Sequence, residues 1–524
     1  KIITMNIWLV SREYAGIAEA GGVKNVSCSL CESLARLGHK VTLFIPQYAC
    51  TELKDVSCDA TSEKKSVLID VLGKKEDVFF MKGSMNGVDI VFVQHPSFLE
   101  KKSVYTYTQE DEEENPAHKK GEGHIDVNFM NVIFQKAVVF YSTLMDSSEI
   151  PYVIHCQDAA TAMVPAFGAY YCRKDSEINR KLSDTKYAVT IHNAGPGYHH
   201  NFSTIDEAVA YTGLEKDFLS LGLCGNCVEP FIIASKFSVI TTVSPEYAQE
   251  ILLGKTDTAG LSDKFVEYGV DIKGITNGID FSRYDPCDTK VSLLPYAFDP
   301  MNLDLEGKYS CRRYFIEKFA SRNASSLPMD HEKFGFIEED DDSVFIAYHG
   351  RVVHQKGIEV MCGAVESLLE KKMNVKFIIA GQGFPELEKR LAALAEKYSG
   401  KVVYLKGYDR VIARLSVASA DFSLHPSYFE PCGLEDFIAQ TYGTIPVAHA
   451  TGGLKKILDG KTGFLYSPNT SESLGKVLTK LVEIVRSNGR KSISTIIRDA
   501  SVYIHEKFSW DKVAVEYEKL YKEI

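Results

Sequence analysis

The chain has 524 residues, enough for two large domains at roughly 150 residues each and too many for one small fold. Lys and Arg total 59 against 70 Asp and Glu, a formal net charge of −11 with no basic cluster. That excludes a nucleic-acid binder, which needs a basic face to exchange counterions with phosphates. Charged residues at 25% and apolar residues at 45% match a soluble globular protein, and no run approaches the ~18 apolar residues of a membrane span.

Ile2 to Val10 reads as a buried strand, followed by a loop containing Gly16, Gly21 and Gly22 and an apolar-periodic helix, Val23 to Leu37, that stops at Gly38. A second strand, Lys40 to Ile45, ends at Pro46. Strand, glycine loop, helix, strand is the opening of a parallel α/β sheet. Further strands are expected at Val88 to Val93, Tyr152 to His155 and Tyr187 to His192, with helices around Phe129 to Ser142 and Ala160 to Tyr171. Glu110 to Glu114, with Lys119 and Lys120 close behind, has no apolar period and reads as a solvated loop or insertion. The pattern then restarts: Val344 to Tyr348, Val375 to Ala380, Val402 to Leu405, Ala420 to Leu424 and Ile445 to Ala448 are short apolar strands, with helices such as Gly357 to Leu369 and Pro385 to Tyr398 between them. The expected fold class is α/β, two Rossmann-like doubly wound domains facing a central cleft.

Two CxxC pairs stand among the 12 cysteines, Cys28/Cys31 and Cys224/Cys227. The first falls inside a helical pattern and the second is far away in sequence, so reduced thiols are expected rather than a four-ligand zinc site. The sequons at Asn25, Asn201, Asn323 and Asn469 then carry no glycan. The D-x-D spacing within Glu338 to Asp342 precedes its strand instead of ending one, and reads as a charged turn rather than a metal site.

In open α/β sheets ligands bind outside the carboxyl ends of the strands, where loops converge and helix amino termini point at the crevice. The polar residues just after each expected strand are Gly21 and Gly22, His155 and Asp158, and His192 and Asn193 in the first half. In the second they are Arg351 and Lys356, Gly381 and Gly383, Tyr408, Glu430 with Gly433, and Thr451 with Gly452 and Gly453. This set suits a diphosphate held by backbone amides and two cations, with an aromatic ring for a base and polar groups for a sugar. Each member also has a plainer reading. Gly21-Gly22 and Gly381-Gln382-Gly383 suit tight strand-to-helix turns, His155 and His192 suit buried structural histidines, and Cys432 suits an inert buried thiol. Position and order favour chemistry for Arg351 and Lys356, which share a loop leading into a helix with a glycine on each side.

At these residues the chain resembles the glycogen and starch synthase family of retaining GT-B glycosyltransferases. GRVVHQKGIEV is similar to its GR-x4-KG loop, SYFEPCGLEDFIAQTYGTIPVAHATGGL to its FEPCGL and TGGL signature, and TNGID and SPEYAQE to its hinge-side motifs. Ile438 stands eight residues after Glu430, where the related sucrose-handling and lipid-directed transferases carry the second Glu of E-x7-E. The resemblance implies a domain over 1–275 with 505–524 packing back on it as a crossing helix, and a nucleotide-sugar domain over 276–504. It implies that Arg351 and Lys356 hold the donor diphosphate with the amides of Gly433 and Leu434, that Tyr408 lies by the base, and that Glu430 contacts the transferring glucose. Thr451, Gly452 and Gly453 would shape the same pocket, and Gly21 and Gly22 would belong to the donor loop. Asp158, His192, Asn193 and Asn277 would surround the donor glucose and the acceptor end.

The implied activity moves α-glucose from ADP-glucose or UDP-glucose to the non-reducing end of an α-1,4-glucan. The partners are then a nucleotide-glucose donor and a glucan acceptor, with no nucleic acid, membrane, metal or cofactor beyond the donor, and an open oligomeric state. The alternatives are a different acceptor, or a weakly catalytic glucan-binding relative. Residue 1 is Lys rather than Met, which leaves room for a removed address; the expected location is cytoplasmic, or plastid if a transit peptide preceded it. Two departures stand out. Glu19 replaces the lysine of the family's K-x-GG-L loop, putting a carboxylate where a diphosphate would be repelled. The HxHDW-like segment reads His155-Cys156-Gln157-Asp158-Ala159.

Overall fold

The computed structural model describes residues 4–58, 65–338, 340 and 342–524. Ile2 and Ile3 of the first expected strand, and Glu339 and Asp341 of the acidic stretch, lie outside the described residues. The chain divides into two compact units, one running through Asn277 and taking in Trp510–Ile524, the other Gly278–Ser509. Both crossings fall later than the boundaries at 275 and 505 read from the sequence. The end of the penultimate helix belongs to the second unit because the Ile279 N–H donates to Phe508 O at 2.8 Å, His505 stacks on Phe281 at 3.5 Å and Phe508 packs on Phe437 at 5.0 Å.

The first unit carries β1 (Asn6–Val10), β2 (Lys40–Pro46), β3 (Ser57–Cys58), β4 (Lys65–Val71), β5 (Lys74–Met85), β6 (Val88–Gln94), β7 (Val153–Gln157), β8 (Lys186–Ile191), β9 (Leu223–Cys224), β10 (Cys227–Val228), β11 (Val239–Thr242) and β12 (Ile272–Gly274). Its main sheet is ordered β12-β11-β8-β7-β1-β2-β6-β5-β3, with β4 on the free side of β5 and β9-β10 as a separate hairpin. Strands β12 through β6 are parallel, and their central members are almost wholly buried, as a sheet covered on both faces requires. The sequence reading places nothing in the β4–β5 region. These edge strands alternate buried and exposed positions and are rich in Lys, Asp and Glu on the outer face, so they lack the apolar run that marks the centre.

The acidic stretch is not a loop. Gln109–Glu114 is a short helix started by a reciprocal Thr108–Asp111 capping box, and Lys102 pairs with Glu110 at 2.9 Å and Glu114 at 2.6 Å. It buries no residue, which is why no apolar period betrays it. Cys28 and Cys31 are buried on the helix Val23–Arg36, while Cys224 and Cys227 face each other across the β9–β10 hairpin. Asp340 accepts from the Ser343 hydroxyl at 2.6 Å and the Asp342 N–H at 2.9 Å, the geometry of a charged turn.

The last helix, Trp510–Glu523, buries Trp510, Val513, Ala514, Tyr517, Leu520 and Tyr521 at helical spacing and packs beside Val23–Arg36. Its Tyr521 hydroxyl meets Nδ1 of the fully buried His155 at 2.7 Å, and His155 Nε2 meets Thr190 Oγ1 at 2.6 Å. His155 is therefore a satisfied structural histidine, and burial pushes its pKa down to about 3. Tyr521→Phe leaves a buried ring nitrogen without its partner and should lower the unfolding free energy by about 1–3 kcal/mol. An unchanged urea midpoint would show that the bond does not hold this helix.

The second unit carries β13 (Glu332–Ile337), β14 (Val344–His349), β15 (Val375–Gly381), β16 (Lys401–Lys406), β17 (Phe422–His425), β18 (Ile445–His449) and β19 (Phe464–Tyr466), ordered β13-β16-β15-β14-β17-β18-β19. All pair in parallel except β13, antiparallel at the edge. Along β14 the period of two sorts side chains between two cores: Val344, Ile346 and Tyr348 face one, Phe345 and Ala347 the other.

Candidate functional site

Strand order places a topological switch point in each unit. In the second, the chain runs outward from β14 to β15 and β16, then returns to lay β17, β18 and β19 on the other side, so the switch point falls between β14 and β17. Arg351 and Lys356 follow β14, and Glu430 and Gly433 follow β17. The loop after β14 is tied on both flanks. The Val352 N–H donates to Gln382 O at 2.9 Å and Phe384 N–H to Val352 O at 2.8 Å; on the other side the Tyr428 N–H donates to Gln355 O and Gln355 Nε2 to Phe429 O, both at 2.9 Å. Gly357 ends the loop at φ +67°, and a Cβ there would sit 1.9 Å from Pro426 O, so only glycine lets the two loops close together.

Lys356 forms an ion pair with Glu430, with side chains 18% and 14% exposed. Ser427 Oγ donates to the same carboxylate oxygen at 3.0 Å. Burial alone would raise the Glu430 carboxyl, but Lys356 and these hydrogen bonds outweigh it and hold Glu430 below the usual range. Arg351 is exposed, its guanidinium 3.5 Å from Gln355 Oε1. Lys456 fixes the glycine loop: it donates to Cys432 O, to Gly433 O at 3.2 Å and to the fully buried Asp436 at 3.0 Å. Burial nonetheless pushes the Asp436 carboxyl up to about 6, against the pull of Lys456. Gly433 has φ +80°.

The Gly453 N–H is used by Glu430 O at 2.8 Å and Thr451 Oγ1 by Tyr428 O at 3.3 Å, so Thr451, Gly452 and Gly453 brace the Glu430 loop. Leu434 is the N-cap residue of the following helix, Glu435–Thr441. Tyr408 is 61% exposed after β16.

In the first unit the switch point lies between β1 and β7. After β1, the almost fully buried Glu13 accepts the N–H groups of Gly21 at 2.5 Å and Ala20 at 3.1 Å, and Gly22 caps the helix Val23–Arg36. Glu19 is neutralised rather than left facing an anion: it accepts the Gly16 N–H at 2.8 Å and pairs with Lys24 at 2.6 Å. After β7, Asp158 sits at φ +63°, a strained conformation of the kind found at functional sites. Its Oδ1 accepts the His192 N–H at 2.8 Å. Burial pushes Asp158 up to about 7, and the charge of Glu13 adds to it, against the backbone N–H groups of His192 and Asn193. His192 Nε2 contacts Gln157 Oε1 at 2.8 Å, and burial lowers this ring to about 3, so it is neutral. Asn193 Oδ1 accepts the Gly195 N–H at 2.8 Å, and Asn277 Oδ1 is buried with no hydrogen-bond partner among the described residues.

Three neighbours have no motif to announce them. Arg12 clamps Val104 O at 2.8 Å, Asn131 at 3.1 Å and the Tyr48 hydroxyl at 3.2 Å. Beside it, burial and the charge of Glu13 push the Tyr105 phenol well up. Arg12 and Glu13 follow β1 directly, so the rule that finds Asp158 would have found them.

Two family models tile the chain: a starch synthase catalytic domain over residues 6–265 and a group 1 glycosyl transferase domain over 330–498. The chain belongs to the glycogen and starch synthase family of glycosyltransferases. A glycogen synthase of Thermodesulfovibrio yellowstonii is 28% identical over 99% of this chain and 97% of that protein, and glycogen synthase 2 of Geobacter sulfurreducens is 27% identical over 99% and 98%. The catalytic domain of starch synthase IV from Arabidopsis thaliana, solved bound to ADP and acarbose, matches at a TM-score of 0.80 and 24% identity over 99% of both chains. The fold is thus the two-Rossmann GT-B fold. Among the described residues no helix is long and apolar enough to cross a membrane.

The raised Asp158 gives a pH signature. Unfolded, the carboxyl titrates near 3.8; folded, at about 7. The native state therefore binds the proton more tightly between those values, and its stability falls as pH rises from about 4 to 7. Asp158→Asn keeps an oxygen acceptor and loses the charge, so the Tm difference, mutant minus wild type, should grow more positive across that window. A constant difference would contradict the assignment.

Proposed function

We propose that this glycosyltransferase moves α-glucose, with retention, from a nucleotide diphosphate to the non-reducing end of an α-1,4-glucan. The observation that carries the reading is the Lys356–Glu430 pair with Arg351 on the same braced loop, at the switch point of the second unit. As the glycosidic bond breaks, the anomeric carbon gains positive character and negative charge collects on the departing diphosphate. Fixed cations stabilise that charge without reorganising during the step. Lys356 is held ready by Glu430, and the exposed Arg351 closes on the anion when it arrives.

Glu430 meets the hydroxyls of the transferring glucose, and Tyr408 lies by the base. Gly433 and Leu434 lend amides to the diphosphate, on a loop whose carbonyls Lys456 holds. By the same resemblance Asp158, His192, Asn193 and Asn277 belong to the glucose and acceptor end. His192, kept neutral by burial, is suited to hydrogen bonding rather than to carrying charge. The relatives named glycogen synthase support a glucan acceptor, and the ADP in the starch synthase IV structure supports an adenine donor.

Arg351→Ala touches an exposed side chain, so folding should be unaffected while kcat falls by about 10²–10³-fold in an assay of ADP-glucose and UDP-glucose against glycogen and maltooligosaccharides. Near-normal turnover would reject the assignment. Lys356→Ala should lose activity and stability together, because it strands a mostly buried Glu430 carboxylate.

A further inference from the structure

The second unit holds a carboxylate at its switch point that the phosphate chemistry leaves unused. Glu435 opens the helix after Gly433-Leu434, and its Oε2 lies 2.9 Å from Nδ1 of His349, with side chains 34% and 14% exposed. His349 ends β14, two positions before Arg351, so this pair spans the two elements that bring the cations and the glycine loop together. The carboxylate also feels Lys356 after β14, His425 at the end of β17 and Tyr348 on β14. Burial alone would raise its pKa; His349, Lys356 and His425 outweigh that and keep Glu435 ionised.

Two phenols share this corner. Burial pushes the Tyr284 pKa up, and the charges of Glu435 and Tyr408 add to it, against Arg414. Arg414 sits 4.5 Å over the Tyr284 ring and pins it.

An ionised carboxylate beside an anion seat repels the anion unless donors of the same ligand engage it. In a nucleoside diphosphate the group joined to the diphosphate is the ribose, whose 2′- and 3′-hydroxyls are adjacent donors well matched to a carboxylate. We infer that Glu435, oriented by His349, receives the ribose hydroxyls of the donor nucleotide, with Tyr284 and Tyr408 flanking the base. His349 engages Oε2 of Glu435, whose side chain stays partly exposed. Glu435 is then a specificity residue for ribonucleotides and His349 a positioning residue. The inference rests on the nucleotide-donor reading above.

Calorimetric titration of the full chain with ADP and UDP, and with their 2′-deoxy and 3′-deoxy counterparts, tests it. Wild-type protein should bind the deoxy forms about tenfold or more weakly, the loss expected for hydrogen bonds to a charged group. Glu435→Ala should bind ribo and deoxy forms within about twofold of each other, and His349→Ala should shrink the ratio in the same direction; a purely structural pair would not move this ratio. Equal binding of ribo and deoxy forms by wild type, or an intact ratio in Glu435→Ala, overturns the inference while leaving the donor reading standing. No binding of either ribonucleotide by wild type overturns the donor reading, and the inference with it.

Discussion

The ion pair between Lys356 and Glu430 is the constraint on which the second unit's site depends. Both side chains are mostly buried, and two such charges are tolerable only together, since removing either leaves the other uncompensated in a poorly hydrated place. The pairing requires the loops after β14 and β17 to lie against each other. That contact in turn requires a glycine at 357, because any Cβ there would strike Pro426 O, and uses the hydrogen bonds of Gln355 to Tyr428 and Phe429. Behind them Lys456 draws the carbonyls of Cys432 and Gly433 inward, and Gly453 supports Glu430 from the third loop. The cation aimed at the diphosphate is therefore pre-placed by packing and hydrogen bonding that involve three strand ends.

The first unit solves a similar problem with acids. Glu13 occupies the amides of Ala20 and Gly21, and its charge raises the proton affinity of Asp158 across the switch point, so these two buried carboxyls do not ionise independently. The carboxylate at Glu19, which looks hostile to a phosphate when read along the chain, is paired with Lys24, the second residue of the following helix. Its replacement of a lysine is thus accompanied by a cation nearby, and the net charge of the loop changes less than the single position suggests.

The parallel cores were legible in the sequence because a strand buried on both faces reads as a continuous apolar run, as Val344 to Tyr348 and Val402 to Leu405 do. Arg351, Lys356, Asp158 and His192 were legible for a different reason, their place just beyond such runs. The edge hairpin β4–β5 and the helix at Gln109–Glu114 were not, since one alternates and the other buries nothing, and neither leaves an apolar period to read. The partners that make the sites work were hidden by sequence distance. Lys356 and Glu430 are 74 positions apart, His349 and Glu435 are 86, and His155 and Tyr521 are 366. Only the fold brings each pair together, and no local pattern announces the pairing.

A crystal structure of the chain with ADP bound tests the central claim most directly. The account predicts the diphosphate against the guanidinium of Arg351 and the ammonium of Lys356, beside the Gly433-Leu434 backbone, with Glu430 turned toward where the sugar would lie. A diphosphate seated elsewhere, with Lys356 still closed on Glu430 and Arg351 in solvent, would contradict it.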